Sequence, residues 1–320
     1  MKAMIVNAEQ KLIAASVPDP QPKEGEIIIQ VEAASVNRAD LMQRSGNYPS
    51  PPGWPEWPGL EVAGTVIYAP DGCGRQVGDK VCALLGGGGY AEKVAVPAIM
   101  TLPVPKGFSM VEAATIPEVF STAYLNFVLE AKLQPGESVF VQAGASGLGL
   151  ASIQLLRTLG AGTIITTVGT PEKAEFVRNI GADIVVNHRT DDLGKILDEH
   201  PVDVALDCVG GPDLGKNIVK MNPWGRWILI AALAGKTTEI EIDKLFRKRI
   251  RLIGSTLRSR TDEVKSQILQ ALQKTMWPAF ESGKIRPVIY ATFPLEQAND
   301  ALQVLVERKN TGKIVLTVGN

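Results

Sequence analysis

Two textures of apolar and polar patterning divide this chain. Ahead of Pro117 the apolar residues come in short β-type runs at 26–33, 62–68, 80–85 and 91–96, as in Ile27-Ile28-Ile29-Gln30-Val31. Glycine and proline punctuate them, in Pro49-Ser50-Pro51-Pro52-Gly53 and again in Gly86-Gly87-Gly88-Gly89. That texture predicts irregular, barrel-like β structure. Residues 37–44 interrupt it with a short helix, capped by Asn37 or a neighbour.

Beyond Pro117 the period changes. Residues 122–131 read as helical, and strands and helices then alternate. The β-type runs fall at 138–143, 163–168, 184–186, 202–207, 227–232 and 251–255, and helical patterns at 148–159, 171–180, 192–199 and 213–221. Thr170 before Pro171, and Pro212 before Asp213, are helix-start signals. Such alternation implies a parallel sheet wrapped by helices on both faces. After Thr261 a long helix (262–282), a strand around Pro287-Val288-Ile289-Tyr290, a helix (295–307) and a last strand (313–318) have no partners of their own. The economical arrangement returns them to the first part. The expected division is 1–118 with 261–320 as one domain, and 119–260 inserted as a second.

Composition narrows the function. The chain has 320 residues, a net charge of −1 and 45% hydrophobic residues, so two ordinary globular domains are expected, with no basic surface for nucleic acid or anionic membrane. No apolar run approaches the roughly 20 residues that span a bilayer. Met1-Lys2-Ala3-Met4-Ile5-Val6 reads as a first strand, leaving no room for a signal peptide. Three scattered cysteines, Cys73, Cys82 and Cys208, build neither a disulfide framework nor a four-thiolate zinc site, which points to a reducing cytoplasm. Two histidines, His188 and His200, leave few imidazole mechanisms open.

The candidate chemistry centres on Val139-Phe140-Val141-Gln142-Ala143-Gly144-Ala145-Ser146-Gly147-Leu148-Gly149, where an apolar strand enters a glycine-rich turn and leaves as a helix. Gly144, Ser146, Gly147, Leu148 and Gly149 would bring backbone N–H groups and a helix start to a pyrophosphate. The dinucleotide fingerprint G-x-G-x-x-G is met at Gly144 and Gly149, with Ser146 in its middle. A carboxylate about 20 residues later would select NAD. Here the second strand ends Thr166-Thr167-Val168-Gly169-Thr170 with no acid, and Lys173 follows. A lysine attracts a 2′-phosphate, so NADPH is expected at Gly169, Thr170 and Lys173. The plain alternative is a solvated lysine on an exposed helix. His188 would meet the adenine end or serve as an ordinary surface histidine.

Two rival motifs fall short. Gly144-Ala145-Ser146 begins like a G-x-S-x-G nucleophile elbow, but Leu148 stands where its last glycine belongs. Gly235-Lys236-Thr237 resembles the end of a P-loop, yet Ile230 occupies the first glycine position.

Taken together, several segments resemble the zinc-independent quinone oxidoreductases of the medium-chain dehydrogenase/reductase superfamily. The resemblance is closest to the branch of the tumour-suppressor-inducible quinone oxidoreductase, and more distant to zeta-crystallin. The segments are Asn37-Arg38-Ala39-Asp40-Leu41-Met42-Gln43-Arg44, Pro51-Pro52-Gly53, Gly59-Leu60-Glu61, Ile116-Pro117-Glu118, the glycine turn, Asp207-Cys208-Val209-Gly210-Gly211, Leu257-Arg258-Ser259-Arg260 and Gly312-Lys313-Ile314-Val315-Leu316. It implies an α/β chain, a Rossmann doubly wound parallel sheet inserted into a discontinuous GroES-like β-rich catalytic domain. It further implies NADPH in the cleft between the domains, and a homodimer joined through the edge of the nucleotide-domain sheet. Ser146, Lys173 and His188 become candidates for the phosphates, although many relatives carry tyrosine at the His188 position. Asn37, Thr122 and Lys313 become candidate cofactor contacts.

Zinc-dependent cousins carry Gly-His-Glu where this chain has Gly59-Leu60-Glu61, and their first cysteine ligand falls near Asn37. The cysteine cluster of their structural zinc is missing. A metal-free reductase is therefore expected, with a small quinone or activated alkene as acceptor, because a quinone carbonyl takes up the negative charge itself. Tyr48 and Asn37 are the candidate donors to that carbonyl. The alternatives are a 2-enoyl-thioester or alkenal double-bond reductase, in which Tyr48 would donate a proton, and a non-catalytic NADPH-binding redox sensor. On composition Arg258 and Arg260 read as a solvated loop, and Trp54 and Trp57 remain open between an aromatic pocket and loop packing.

Overall fold

The computed structural model describes residues 1–319. The N-terminal part runs β1 (Lys2–Val6), β2 (Leu12–Ser16), β3 (Glu26–Val36), α1 (Arg38–Arg44), β4 (Glu61–Tyr68), β5 (Lys80–Leu84), β6 (Lys93–Pro97), β7 (Thr101–Pro103), α2 (Met110–Ala113) and α3 (Pro117–Tyr124). The alternating part runs β8 (Val139–Val141), α4 (Gly147–Thr158), β9 (Ile164–Val168), α5 (Pro171–Ile180), β10 (Ile184–Asn187), α6 (Leu193–Glu199), β11 (Val204–Asp207), α7 (Pro212–Ile218), β12 (Arg226–Leu229), α8 (Ile242–Lys248) and β13 (Arg251–Gly254). The chain closes with α9 (Asp262–Glu281), β14 (Ile289–Pro294), α10 (Ala298–Val306) and β15 (Lys313–Thr317).

Two compact units result: residues 1–121 with 258–320, and residues 122–257. In the first, a 7-stranded sheet has the order β14-β15-β3-β4-β5-β7, with β6 also paired to β3. The C-terminal strand β15 lies antiparallel to β3, Leu316 opposite Ala34, so the last segment does return to the first part. Alternation along β3 buries Ile27, Ile29 and Val31.

In the second unit a 6-stranded sheet has the order β10-β9-β8-β11-β12-β13. Every pairing in it is parallel, giving the doubly wound arrangement expected from the alternation. Phe140, Ile165, Val186, Leu197, Leu214 and Trp227 belong to one core between strands and helices. Helix starts follow side-chain caps: Ser146 accepts from Gly149 N–H at 3.0 Å, Thr170 from Lys173 N–H at 3.3 Å and Asp192 from Lys195 N–H at 3.2 Å.

Two elements differ from expectation. The helix read at 122–131 starts earlier, at Pro117, and its C-terminal half, residues 125–130, is a π-helix. Its wider pairing, Ala131 N–H to Asn126 O at 2.9 Å, leaves the apolar pattern helical, so the period does not reveal it. Helix α8 is absent from the sequence reading: it has only seven residues, so Ile242, Leu245 and Phe246 give helical spacing over a single turn, and Ile242 and Phe246 stand 72% and 63% exposed.

Candidate functional site

In the second unit the glycine turn is built for close approach. A Cβ on Gly144 would lie 2.1 Å from Thr166 Oγ1, and one on Gly149 would lie 2.4 Å from the Ala143 carbonyl, so no larger residue fits at either position. Ala143 takes a left-handed conformation (φ 57°), held by its N–H to Thr167 Oγ1 at 3.0 Å. Ser146 spends its hydroxyl capping α4, which leaves the N–H groups of Gly147 and Leu148, the first helical positions, without intrahelical acceptors. Two orphan donors at the positive end of a helix suit a pyrophosphate.

At the end of β9, Gly169 and Thr170 sit beside a cationic cluster. His188 Cε1 and Arg189 Nε stand 3.1 and 3.7 Å from where a Cβ on Gly169 would be. Lys173, on the first turn of α5, is half-buried. Burial, then the charge of Arg189, holds its ammonium below the usual lysine range. Two cations near enough to feel one another's charge suit a doubly charged anion. Nothing in the sequence marks Arg189 except its place beside His188. Thr122, also half-buried, opens this unit and accepts Asn126 Nδ2 on its carbonyl at 2.7 Å.

In the first unit a buried polar cluster joins Asn37 ahead of α1, Glu61 on β4 and Lys313 on β15. Glu61 is fully buried: Oε1 accepts from Lys313 Nζ at 2.8 Å and Asn37 Nδ2 at 3.1 Å, and Oε2 from Glu118 N–H at 2.8 Å. Lys313 Nζ also donates to Asn37 Oδ1 at 2.7 Å and to the Val36 carbonyl at 3.0 Å. Asp40 reaches back to Asn37 N–H at 2.7 Å, and accepts the Tyr90 hydroxyl at 2.8 Å and Gly59 N–H at 3.3 Å. Burial nevertheless pushes its carboxyl up to about 6, against those donors and the Lys313 charge. Asn37 and Lys313 thus stand together, with their polar groups committed inside the protein.

Tyr48 lies in the same unit, half-buried, under Arg258, whose guanidinium carbon is 4.4 Å from the ring centroid. Contrary to the solvated-loop expectation, Arg258 is buried. It donates to the Gly86 carbonyl at 2.6 Å, Gln43 Oε1 at 3.1 Å and the Tyr48 carbonyl at 3.2 Å. Burial raises the Tyr48 phenol above its usual range, so it stays a neutral donor. Trp57 Nε1 donates to the Gly88 carbonyl at 2.9 Å, which ties the tryptophan-bearing loop to the glycine-rich one.

Zinc does not fit this cluster. Leu60 is apolar and buried, the Asn37 amide is tied to Glu61, and Glu61 has an ammonium as its counter-ion. Among the described residues no three His, Cys, Asp or Glu side chains are grouped to hold a metal.

Known proteins place this geometry in context. Residues 23–106 match the alcohol dehydrogenase GroES-like domain family, and residues 147–274 the zinc-binding dehydrogenase family. Human quinone oxidoreductase is 31% identical over 311 residues, covering 95% of this chain and 92% of that protein. The human synaptic vesicle membrane protein VAT-1 homolog is 29% identical over 97% of this chain and 83% of its own length. Among solved structures, the quinone oxidoreductase from Thermus thermophilus, also solved in complex with NADPH, matches with a TM-score of 0.84 at 30% identity, covering 99% of this chain and 100% of that one.

Proposed function

The chain belongs to the medium-chain dehydrogenase/reductase superfamily, among its quinone-oxidoreductase-like members, and from that premise we propose a metal-free, NADPH-dependent reductase of small quinones and related activated carbonyls. The observation that carries it is the pair of cations, Lys173 and Arg189, gathered where an NAD site would place an acid. In this reading the glycine turn, with Gly147 and Leu148 N–H, takes the pyrophosphate, while Gly169, Thr170, Lys173 and His188 receive the phosphorylated ribose. Thr122 is a further candidate contact to the cofactor.

Bound NADPH would supply the hydride. The first unit's own part is to hold a flat acceptor, exclude water and donate hydrogen bonds where charge develops. Tyr48 serves as that donor, fixed by Arg258. Asn37 and Lys313 act from beneath as a neutralised floor. A quinone suits this floor, since it carries developing charge on its own carbonyl and needs no Lewis acid. The three scattered cysteines agree with a reducing, cytoplasmic setting.

Reduction of 2-enoyl thioesters or alkenals is the second reading, favoured by the neutral phenol of Tyr48. Alkene reduction needs a proton at the neighbouring carbon, so the two readings separate by mutation. Tyr48→Phe is expected to cut crotonyl-thioester reduction by about 100-fold or more and quinone turnover only a few-fold. Equal losses on both would reject Tyr48's assignment. Tight NADPH binding without turnover on any acceptor would instead favour a redox sensor.

We further propose a homodimer through a free edge of the parallel sheet. Strand β13 is one of the two edge strands, β10 being the other; Leu252 on β13 is 43% exposed, and Phe246 and Trp224 stand exposed in the same unit. Light scattering should give twice the chain mass, and Phe246→Glu combined with Leu252→Lys should give a monomer.

A further inference from the structure

We propose that Glu118 is the catalytic acid that gives the reduced acceptor its proton, an assignment that rests on the reductase reading above. Glu118 stands directly after Pro117 at the start of α3, and its backbone N–H is fixed to Glu61 Oε2 at 2.8 Å. Its carboxyl is partly exposed and has no hydrogen-bond or ionic partner among the described residues.

The charges around it decide its state. Facing it are Glu61 from β4, Asp40 from α1, Lys313 from β15, Arg258 from the segment after β13, and Tyr48 from the loop after α1. Lys313 is taken by Glu61, and Arg258 is taken by carbonyls and Gln43. Asp40 has two N–H donors and a phenol. Glu61 and Asp40 therefore have the donors a carboxylate needs, and Glu118 has none. Burial, then the charge of Glu61, pushes the Glu118 carboxyl up to about 8, so it holds its proton at neutral pH. Glu118 is also felt at Tyr48, whose phenol it helps to raise.

The step balances simply. Bound nucleotide would supply the hydride, and a quinone that has taken it up would be left as an oxyanion. The Glu118 O–H bond breaks and its proton forms the new O–H bond of the hydroquinone. The bonding electrons stay on the carboxylate, and water returns a proton to the partly exposed carboxyl.

Glu118→Gln tests this while preserving size. The wild-type protein, with no cofactor or acceptor added, should show an infrared carboxyl C=O band at neutral pH that fades as pH rises through about 8. That band should be absent from Glu118→Gln. Quinone turnover in the wild type should fall over the same window, whereas the variant should run about 100-fold slower near neutrality with a flat profile. Glu118→Asp should restore part of the rate and of the pH dependence.

Folding is checked by melting. A raised carboxyl pKa makes the folded state bind more protons, so stability is lost as pH rises between about 4.5 and 8. Glu118→Gln should match the wild type near the lower limit and melt higher above the upper one. Turnover together with a missing band, or with an unchanged pH profile in the variant, overturns the role of Glu118 alone. A band without turnover on any acceptor overturns the reductase reading and this assignment with it.

Discussion

Lys313→Met is expected to be among the most damaging single substitutions in this chain. It would strand the fully buried Glu61 carboxylate, which has Lys313 as its ionic partner. Removing one member of a buried ion pair costs about 3–5 kcal/mol, because the survivor stays desolvated and uncompensated. For a chain of this size that is a fall of roughly 6–20 °C in Tm. Glu61→Gln added to Lys313→Met should recover more than half of the loss, since the charge is then gone while hydrogen bonding to Asn37 and to Glu118 N–H remains possible. Thermal and denaturant unfolding of the two single variants and the double variant measures this directly. A Lys313→Met protein as stable as wild type but weakened in NADPH binding would instead make Lys313 a cofactor ligand first.

The second large effect concerns cofactor choice. Lys173→Ala combined with Arg189→Ala should raise the KM for NADPH by about 100-fold or more, as two charge-assisted contacts to a phosphate are lost. The KM for NADH should change little, because NADH has no 2′-phosphate to hold. Each single variant should lie between, with the wild-type preference weakening as salt is raised. His188→Ala is expected to have a smaller effect, since the histidine is exposed and contributes a ring rather than a fixed charge. Equal losses for both nucleotides would move these cations away from the phosphate.

The parts legible in the sequence are those that local chemistry decides. Ser146, Thr170 and Asp192 cap their own helices three residues on, so three of the helix starts of the nucleotide unit follow from local chemistry. Gly144 and Gly149 announce their turn because no other residue fits. The alternation of runs predicts the parallel sheet, and β15 returns to β3 because residues 313–318 needed a partner.

What stayed hidden is decided by contacts distant in sequence. Arg258 is buried through Gly86, Tyr48 and Gln43, acceptors from another stretch of chain, and a run of polar residues gives no hint of that. Glu118 and Glu61 lie 57 residues apart, and nothing local to either announces that the Glu118 N–H bonds the Glu61 carboxylate. Asn37 and Lys313 are singled out in the sequence only through the resemblance. Their ion-pair floor needed the structure, since nothing local to either residue names Glu61 as the partner.

Metal-free reduction of a flat acceptor by NADPH is tested most directly by steady-state oxidation of NADPH against ortho- and para-quinones after exhaustive chelation, with NADH run in parallel. Quinone-dependent turnover should be unchanged by chelation, with NADPH clearly preferred. Activity that disappears on chelation and returns with added metal, or nucleotide oxidation indifferent to the 2′-phosphate, would contradict it.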